Sequence, residues 1–495
     1  MDKRGFDNDK YLSLQSQMIR ERIDSFGGKL YLEFGGKLFD DFHASRVLPG
    51  FHPDSKITML KQLKDRAEIV IVINADDIEK NKVRGDLGIT YDLDVLRLID
   101  AFRGNQLYVG SVVLTHYTGQ AAAQAFCTRL NNLGVHVYHH YLIDGYPLDV
   151  DRIVCSEGFG RNDYIETSRP LVVVTAPGPG SGKMATCLSQ LYHENERGIK
   201  AGYAKFETFP IWNLPLKHPV NLAYEAATAD LNDVNMIDPF HLEAYGVTTV
   251  NYNRDVEIFP VLEAIFTKIN GSCPYKSPTD MGVNMVGNCI IDDEAVRCAA
   301  KQEIIRRYYG ALCEKRLGRG RDEDVQKILL LMKQADITTE DRPVVAAALA
   351  RQEETDNPSV AIELNDGRII TGKTSDLLGA ASAVLLNALK QLGGIPDATL
   401  LMEPDVIEPI CSLKTNNLGN HNPRLHTDEV LIALAICAAR SPVARAALSH
   451  LDKLNGCEAH STVILSPVDI STFKKLGIHL TCEPRHQTKK LFHKV

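Results

Sequence analysis

Several common catalytic signatures are missing from the sequence. It contains no Gly-x-Ser-x-Gly elbow, no His-Glu-x-x-His pair, no Cys-x-x-Cys, and no clear acidic strand end downstream of its glycine-rich loop. These absences disfavour an α/β-hydrolase, a zinc protease, and zinc-ribbon or thioredoxin chemistry. We therefore predict no metal site made of protein ligands.

Long apolar runs are also missing. No stretch reaches the roughly 18 apolar residues that a membrane helix needs, and the first residues lack the apolar core of a signal peptide. The 11 cysteines are scattered singly, many within apolar stretches, as buried free thiols usually are. We expect a cytoplasmic protein without disulfides and without a membrane partner.

An excess of positive charge is lacking as well. The formal net charge is −8, from 55 Lys and Arg against 63 Asp and Glu. This balance disfavours a nucleic-acid-binding protein, which would need a basic surface. The chain has 495 residues, of which 44% are hydrophobic, so it is long enough for two to four domains with their own cores.

The hydrophobic pattern divides the chain into three predicted domains. Residues 1–245 alternate short β-branched runs, such as "KLYLEF", "AEIVIVINA" and "LVVVTAP", with helical stretches of 10–15 residues, a pattern that favours a mainly parallel sheet. Residues 246–340 show helical periodicity. Residues 341–495 begin with a predicted hairpin around Asn365-Asp366-Gly367, followed by helices and a strand at "HSTVILS". The predicted fold class is α/β, with a phosphate-loop-like turn in the first domain and a second α/β unit at the end.

The stretch "LVVVTAPGPGSGKMAT" carries the strongest functional signal. A strand leads into a turn containing Gly178, Gly180, Ser181 and Gly182, and Lys183 opens a helix. Such glycines allow backbone N–H groups to converge on phosphate oxygens, and a helix N-terminus adds partial positive charge. The pattern predicts a phosphate-binding loop. The alternative is a tight strand-to-helix turn, although three glycines exceed what a turn requires.

The same loop departs from a magnesium–nucleotide loop at two positions. When Lys183 is aligned with the lysine of that motif, Pro177 replaces the first glycine and Met184 replaces the serine or threonine that holds Mg²⁺. Thr186 substitutes for that hydroxyl only if the loop has a different register. ATP is one candidate ligand, another phosphorylated molecule is the other, and Met184 argues against Mg²⁺.

Two further loops carry glycines beside a cation. "LEFGGKLFDD" places Gly35, Gly36 and Lys37 after the first strand, and "SEGFGRND" presents Arg161, which suits bidentate anion binding. If the sheet is doubly wound, the C-terminal ends of the first strand and of the strand ending at Val174 can face one ligand-binding crevice. The sequence does not order the strands. For Arg161 a mobile surface loop is the alternative.

Acid–base chemistry has one candidate group in "NMIDPFHLEAYG". Asp238, His241 and Glu243 have a spacing that could serve proton transfer, and we name them as candidate catalytic residues.

A polar loop near the C-terminus precedes a predicted helix. "SLKTNNLGNHNPRLHTDEV" contains Asn417, His421, Arg424 and His426, which could hold an anionic ligand at the helix N-terminus. Simple capping of that helix by Thr427 or Asp428 is the alternative.

Small residues mark the predicted helix within "LLGAASAVLLNAL". They favour close packing on the chain's own sheet, and a symmetric homo-oligomer is the alternative use of the same face.

Taken together, "LEFGGKLFDDFHASRVLPGF", "TAPGPGSGKMATCLSQLYHE", "NMIDPFHLEAYG" and "SPTDMGVNMVGN" resemble a bacterial family of unknown function. Some of its members are labelled ATP-dependent peptidase. The resemblance extends over the chain and implies a phosphate-loop-like α/β part, a helical part and a C-terminal α/β part. It supplies no catalytic residues, and the residues of this chain do not support a peptidase.

Three functions follow from these residues. The first is an enzyme that acts on a small phosphorylated molecule, with a nucleotide among the candidates. The second is a metal-independent sugar-phosphate transferase or isomerase. The third is a ligand-sensing or assembly protein without turnover.

Overall fold

The computed structural model describes residues 4–85 and 87–487. The chain forms two compact units. The N-terminal unit comprises Arg4–Glu225 and Asn232–Ala299, and the C-terminal unit comprises Ala226–Leu231 and the chain from Ala300 onward. The helical stretch predicted at 246–340 therefore contributes to both units.

The N-terminal unit contains a large sheet, two small two-stranded sheets and helices between the strands. Its strands are β1 Leu30–Phe34, β2 Ala67–Asn74, β3 Val83–Arg84, β4 Ile89–Thr90, β5 Tyr108–Thr115, β6 His136–His139, β7 Leu171–Thr175, β8 Gly202–Phe206, β9 Asn235–Ile237, β10 Val250–Tyr252 and β11 Gly282–Val283. Its helices are α1 Asn8–Ser25, α2 Phe42–Val47, α3 Ser55–Gln62, α4 Ala75–Glu79, α5 Tyr91–Gly104, α6 Ala121–Asn132, α7 Val150–Ile153, α8 Lys183–Glu196, α9 Pro219–Ala227, α10 Pro239–Tyr245, α11 Asn253–Asn270, α12 Pro278–Met281 and α13 Asp293–Arg316. The helices α9 and α13 cross the division between the units.

The large sheet has seven strands in the order β11-β8-β1-β7-β2-β5-β6. Every neighbouring pair is parallel. The prediction of a mainly parallel sheet is thus confirmed. The central strands β1, β2 and β7 are buried almost throughout, which explains why each is largely apolar in sequence, with Glu33 in β1 and Glu68 in β2 as the charged exceptions.

The helix α8 packs on one face of this sheet. Its Cys187, Leu188 and Leu191 belong to a hydrophobic cluster with Tyr31 of β1 and Val174 of β7. This packing fixes the start of α8 above the C-terminal ends of the central strands, where the glycine-rich loop lies.

The C-terminal unit contains a smaller mixed sheet covered by helices, so the predicted second α/β unit is confirmed. After α13 its elements are α14 Asp322–Gln334, α15 Pro343–Thr355, β12 Ser359–Glu363, β13 Ile369–Lys373, α16 Ala380–Leu392, α17 Pro404–Ser412, α18 Thr427–Ala438, α19 Pro442–Leu448, β14 Glu458–Ser461, α20 Pro467–Lys475 and β15 His479–Cys482. The sheet order is β13-β12-β14-β15, with only the β14–β15 pair parallel. The hairpin at Asn365-Asp366-Gly367 is present as predicted, and Gly367 has the left-handed φ of 86° that its turn needs.

The small-residue helix packs on its own sheet. The backbone of α16 approaches β13 so closely that a Cβ on Gly372 would overlap the backbone nitrogen of Val384. Ala380, Ala381 and Ser382 are buried in the same packing. This arrangement accounts for the small residues without a second chain, and the homo-oligomer stays a prediction.

The strand expected at "HSTVILS" begins two residues earlier and ends at Ser461, because Ser461 Oγ donates to Val463 O, 2.7 Å away, and turns the chain. Within the described residues, no helix is long and apolar enough to cross a membrane.

Candidate phosphate site at the C-terminal edge of the sheet

The strands β1 and β7 are direct neighbours in the sheet. Their register pairs Leu30 with Leu171 and Glu33 with Val174. From β1 the chain passes over β7 to reach β2, whereas from β7 it passes over β1 to reach β8. The two connections leave in opposite directions, so a crevice opens between the C-terminal ends of β1 and β7, which is where open α/β sheets bind ligands. The two glycine-bearing loops predicted from the sequence therefore lie at one edge.

The loop after β7 presents a series of unused backbone donors. Gly180 and Gly182 adopt left-handed φ values of 75° and 88°, and Gly182 is the N-cap of α8. The N–H groups of Gly178 and of residues 180–185 donate no hydrogen bond to any described residue. A helix N-terminus with this many available donors attracts anions.

Two hydroxyl groups hold the loop in shape. Ser181 Oγ donates to Gly178 O at 2.7 Å, and Thr115 Oγ1, at the end of β5, donates to Ser181 O at 2.7 Å. Both side chains are buried. Since the loop's own carbonyl groups accept these bonds, its N–H groups remain available.

The first turn of α8 contains Lys183 and the two residues, Met184 and Thr186, that determine whether the loop offers an oxygen ligand to Mg²⁺. The Lys183 ammonium forms no hydrogen bond or ion pair within the described part of the chain, and its side chain is half-buried. Met184 packs against the hydrophobic cluster below α8. Thr186 is fully buried, and its Oγ1 has no hydrogen-bond partner among the described residues. The turn thus offers an unpaired cation but no exposed oxygen ligand for Mg²⁺ at Met184.

The loop after β1 forms a second glycine turn, which lies close to Lys56 of α3 and is followed by Lys37. Gly36 has a left-handed φ of 71°, and a Cβ there would lie 3.7 Å from Lys56 Nζ. Lys56 is buried and pairs with Asp41 at 2.8 Å. Burial alone would raise the pKa of Asp41, but the Lys56 ammonium lowers it below its ordinary value. Gly35 is half-buried at this edge, and Lys37 is exposed there.

A buried charged group that the sequence analysis missed lies beside this crevice. We call Glu33, Lys205, Glu207 and Asp255 the Lys205 cluster. Lys205 Nζ lies 2.6 Å from Glu207 Oε1 and also forms an ion pair with Asp255. Glu33 is 7% exposed and accepts a hydrogen bond from Tyr203 at 2.7 Å. Two carboxyl groups therefore contact one ammonium group, and the Glu33 carboxylate also acts on it electrostatically.

This imbalance of charge changes the protonation of Glu207. Burial raises the pKa of Glu207 to about 7, because the attraction of Lys205 is opposed by the negative charges of Asp255 and Glu33. Burial alone would lower the pKa of Lys205, but the surrounding carboxylates raise it above its ordinary value. Glu207 is thus a carboxyl group that can take up or release a proton near neutral pH.

The Cys187 thiol connects the Lys205 cluster to the start of α8. Its pKa is raised by burial and by the nearby Glu33 carboxylate, and Lys183 acts in the opposite direction. Glu33 and Lys183 therefore both lie near one thiol, so the cluster and the glycine-rich loop line neighbouring parts of the same edge.

The residues Asp238, His241 and Glu243 are not brought together as a proton-transfer group. Asp238 is fully buried at the N-cap of α10, where it accepts hydrogen bonds from the His241 backbone at 3.0 Å and from Thr279 Oγ1 at 2.6 Å. The His241 ring lies 2.9 Å from Ser277 Oγ, and Glu243 is exposed. The three side chains face different partners, and the carboxylate of Asp238 is already occupied as a cap.

Arg161 lies beside α8 but away from its first turn. Its guanidinium group stacks over the Tyr141 ring at 4.6 Å. The adjacent Asn162 donates to Ser189 Oγ at 3.0 Å, more than a helical turn beyond the glycine-rich loop.

The predicted polar loop near the C-terminus belongs to the C-terminal unit. His426, rather than Thr427 or Asp428, is the N-cap of α18, and its Nδ1 lies 3.1 Å from Asp469 Oδ2 and 3.3 Å from Ser466 Oγ. Since the serine and the aspartate meet the same ring nitrogen, the group cannot relay a proton from one to the other. Hydrogen bonding to Asp469 raises the pKa of His426.

The other candidates in that loop have varied surroundings. Arg424 Nε donates to Ser375 O at 2.6 Å, whereas Asn417 and His421 are exposed. Ser375 also lines a mostly apolar cavity of about 240 Å³ formed in part by α16 and the start of α17. This cavity was not predicted from the sequence.

A local signal for the Lys205 cluster was present in the sequence. In "GYAKFETF" the alternation of β8 places Tyr203, Lys205 and Glu207 on one side, so two opposite charges lie two residues apart at the end of a strand. The other carboxyl groups come from distant parts of the chain. No group of three or more His, Cys, Asp or Glu side chains suited to a metal ion occurs in the described residues.

Comparison with known proteins shows similarity over almost the whole chain. Residues 4–336 match the family described as domain of unknown function DUF1846, N-terminal, and residues 340–492 match its C-terminal counterpart. A UPF0371 protein of Streptococcus thermophilus is 59% identical over 494 residues, covering 100% of both chains. UPF0371 proteins of Streptococcus sanguinis and Streptococcus pyogenes are each 58% identical, covering 100% and 99% of both chains. The chain therefore belongs to the DUF1846 family, which is described as a domain of unknown function.

Proposed function

We propose that the N-terminal unit is a metal-independent enzyme that binds a small phosphorylated carbonyl compound and moves a proton on it, as an isomerase does. The observation that carries this proposal is the run of unused N–H groups at the start of α8, close to a carboxyl group whose pKa is about 7. The glycine-rich loop and Lys183 hold the phosphate, and Glu207 is the general base.

The spacing of the strands sets the size of the substrate. The strands β7, β1 and β8 are consecutive neighbours, so the glycine-rich loop and Glu207 follow strands two spacings apart, about 10 Å. A phosphorylated compound of three to six carbons spans that distance.

The preference for a metal-independent reaction rests on Met184. Its side chain packs into the core at the position where a nucleotide loop carries a magnesium ligand. Binding of ATP that requires Mg²⁺ would favour the nucleotide alternative instead.

Exchange of substrate hydrogen with solvent tests the proposal. The full chain is incubated in D₂O and EDTA with phosphorylated aldoses and ketoses, and proton NMR follows the loss of the C–H signal beside the carbonyl. We expect exchange with at least one compound. Glu207→Gln should slow it by about 10²–10⁴-fold, which is the usual contribution of a general base.

Two control variants separate the roles. Glu257→Gln changes an exposed carboxylate two residues beyond Asp255 on α11 and should leave exchange unchanged. Glu243→Gln tests the group predicted from the sequence. Loss of exchange in Glu243→Gln with full exchange in Glu207→Gln would refute the assignment of the base. Phosphate-dependent stabilisation without exchange of any compound would favour a ligand sensor.

A further inference from the structure

A cysteine, a histidine and an aspartate meet at the other end of the same sheet edge. Cys127 lies on α6, His139 ends the edge strand β6, and Asp163 follows the 3₁₀ turn Phe159–Arg161. Cys127 Sγ lies 3.6 Å from His139 Nε2, and Asp163 Oδ2 lies 3.3 Å from His139 Nδ1. The thiol and the carboxylate thus meet opposite nitrogens of one imidazole ring.

This arrangement differs from that of His426, where both partners meet Nδ1. A nucleophile whose proton passes to Nε2 needs an acceptor at Nδ1–H that keeps the ring in the correct tautomer and orientation. Asp163 Oδ2 lies 3.3 Å from Nδ1, close enough for that role, and it accepts the backbone N–H of His139 at 2.7 Å. In return, Asp163 N donates to His139 O at 3.1 Å, so the carboxylate is fixed to the strand.

Aromatic rings, a second histidine and one arginine surround the pair. The Tyr117 ring packs on the His139 ring with centroids 4.3 Å apart, and its hydroxyl donates to Gln124. His140, the next residue, is fully buried, and burial lowers its pKa to about 4, so it is neutral. Arg161 stacks on Tyr141 at the outer side of this group.

Cys127 is 4% exposed, and His139 is 27% exposed at its side chain. Burial raises the pKa of the Cys127 thiol, so the resting pair is a neutral thiol beside an imidazole. Such a thiol reacts when a neighbouring base removes its proton during attack, as in serine nucleophiles. Its burial restricts the partner to a small electrophile.

We propose that Cys127 is the nucleophile and His139 the general base of a second reactive site, which adds to the carbonyl carbon of a small aldehyde, with Asp163 as a positioning residue. In this step the C–S bond forms and the thiol proton moves to His139 Nε2. The π electrons of the carbonyl move to its oxygen, which then takes that proton and gives a thiohemiacetal. No bond to a leaving group breaks, and no oxidant is needed. The proposal does not depend on the phosphate site.

Alkylation by iodoacetamide, mapped by peptide mass spectrometry on the full chain, measures this reactivity. There the C–S bond forms, iodide leaves, and the proton passes to His139. Cys298 is exposed and has a glutamate rather than a histidine as its neighbour, so it is an internal control. We expect Cys127 to react at pH 7 at least as fast as Cys298 despite its burial. Slower reaction of Cys127 at every pH between 5 and 9 would overturn the proposal.

Variants separate base catalysis from simple access. His139→Gln should slow alkylation of Cys127 at least tenfold, leave Cys298 unchanged, and remove the rise in rate between about pH 5 and 8, where imidazoles titrate. An unchanged rate and profile would contradict the role of His139. The buried Cys187 is a control for folding, because it becomes alkylated only if the chain unfolds. If Cys187 is alkylated in His139→Gln, the Asp163→Asn variant is used to test the role of the histidine instead.

The effect of Asp163→Asn appears in the pH profile. We expect the midpoint of the profile to shift and the rate at pH 7 to fall several-fold, and an unshifted midpoint would refute the positioning role. Propanal tests the chemical class of the substrate. It should slow alkylation of Cys127 in proportion to its concentration and leave Cys298 unaffected, whereas equal effects on both thiols would rule out the carbonyl assignment.

Discussion

Replacing Glu207 by glutamine removes a titrating charge from the Lys205 cluster while keeping the shape of the side chain. In the folded chain, burial raises the pKa of Glu207 from 4.5 to about 7. Between these values the folded protein holds a proton that the unfolded chain has released, so the free energy of unfolding falls as the pH rises from about 4.5 to about 7. At about 1.4 kcal/mol for each pH unit, the loss reaches about 3 kcal/mol above pH 7.

Glutamine stays neutral at every pH, so the variant avoids this loss. We expect Glu207→Gln to match the wild type below about pH 5 and to exceed its free energy of unfolding at pH 8 by up to about 3 kcal/mol. Urea unfolding followed by the fluorescence of Trp212 measures the difference within the N-terminal unit, because Trp212 is the single tryptophan of the chain. Glu257→Gln is the matched control and should show no such pH dependence.

The opposite result would refute the reasoning. If Glu207 were an ordinary charged partner of Lys205, removing it would leave a buried ammonium group with less compensation. The variant would then be destabilised at pH 8, by about 3–5 kcal/mol for a broken buried pair. A loss of that size would show that the pKa of Glu207 is not raised, which would remove the reason for choosing it as a base that titrates near neutral pH.

Three further variants test other parts of the structure. Lys183→Ala should weaken binding of a phosphorylated ligand tenfold or more in calorimetric titration, since a charge-assisted contact is worth about 1.5–3 kcal/mol. The melting temperature without ligand should stay within a degree or so of the wild-type value. Equal affinity of the variant and the wild type would show that Lys183 does not bind the ligand. Gly178→Ala would place a Cβ against the Tyr91 hydroxyl and should lower the free energy of unfolding in urea by about 1–3 kcal/mol. Adding Tyr91→Ala should recover part of that loss. An unchanged stability of Gly178→Ala would contradict this packing. Glu458→Ala removes the carboxylate that pairs with the fully buried Arg342 at 2.5 Å. It should lower the free energy of unfolding by about 3–5 kcal/mol, measured by circular dichroism in urea. A loss below about 1 kcal/mol would show that the pair is dispensable.

The sequence was sufficient for the elements whose burial is complete. The strands β1, β2 and β7 are apolar in nearly every position because both faces of a central parallel strand are covered, and that pattern is visible without the structure. The strand β8 was missed because Lys205 interrupts its apolar residues and Glu207 follows its last residue. Their charges are accommodated only because Glu33 and Asp255 arrive from elsewhere in the chain.

The candidate site was predictable only in part for the same reason. Local spacing indicated Gly178, Gly182 and Lys183 as candidates, because that pattern involves only one strand, one turn and one helix. The order of the strands depends on contacts between distant residues, so the adjacency of β1 and β7 was not available from the sequence. The approach of Cys127 to His139 likewise depends on how α6 folds back along β6.

Amide hydrogen exchange at the glycine-rich loop tests the central claim most directly. The claim is that the free N–H groups between Gly178 and Ala185 hold a phosphate without Mg²⁺. Mass spectrometry of the peptide covering Pro177–Thr186 would be compared with and without millimolar inorganic phosphate in EDTA. The account predicts slower exchange in this peptide when phosphate is present, and loss of that protection in Lys183→Ala. Exchange that is unaffected by phosphate, or slowed only when ATP and Mg²⁺ are added together, would contradict it.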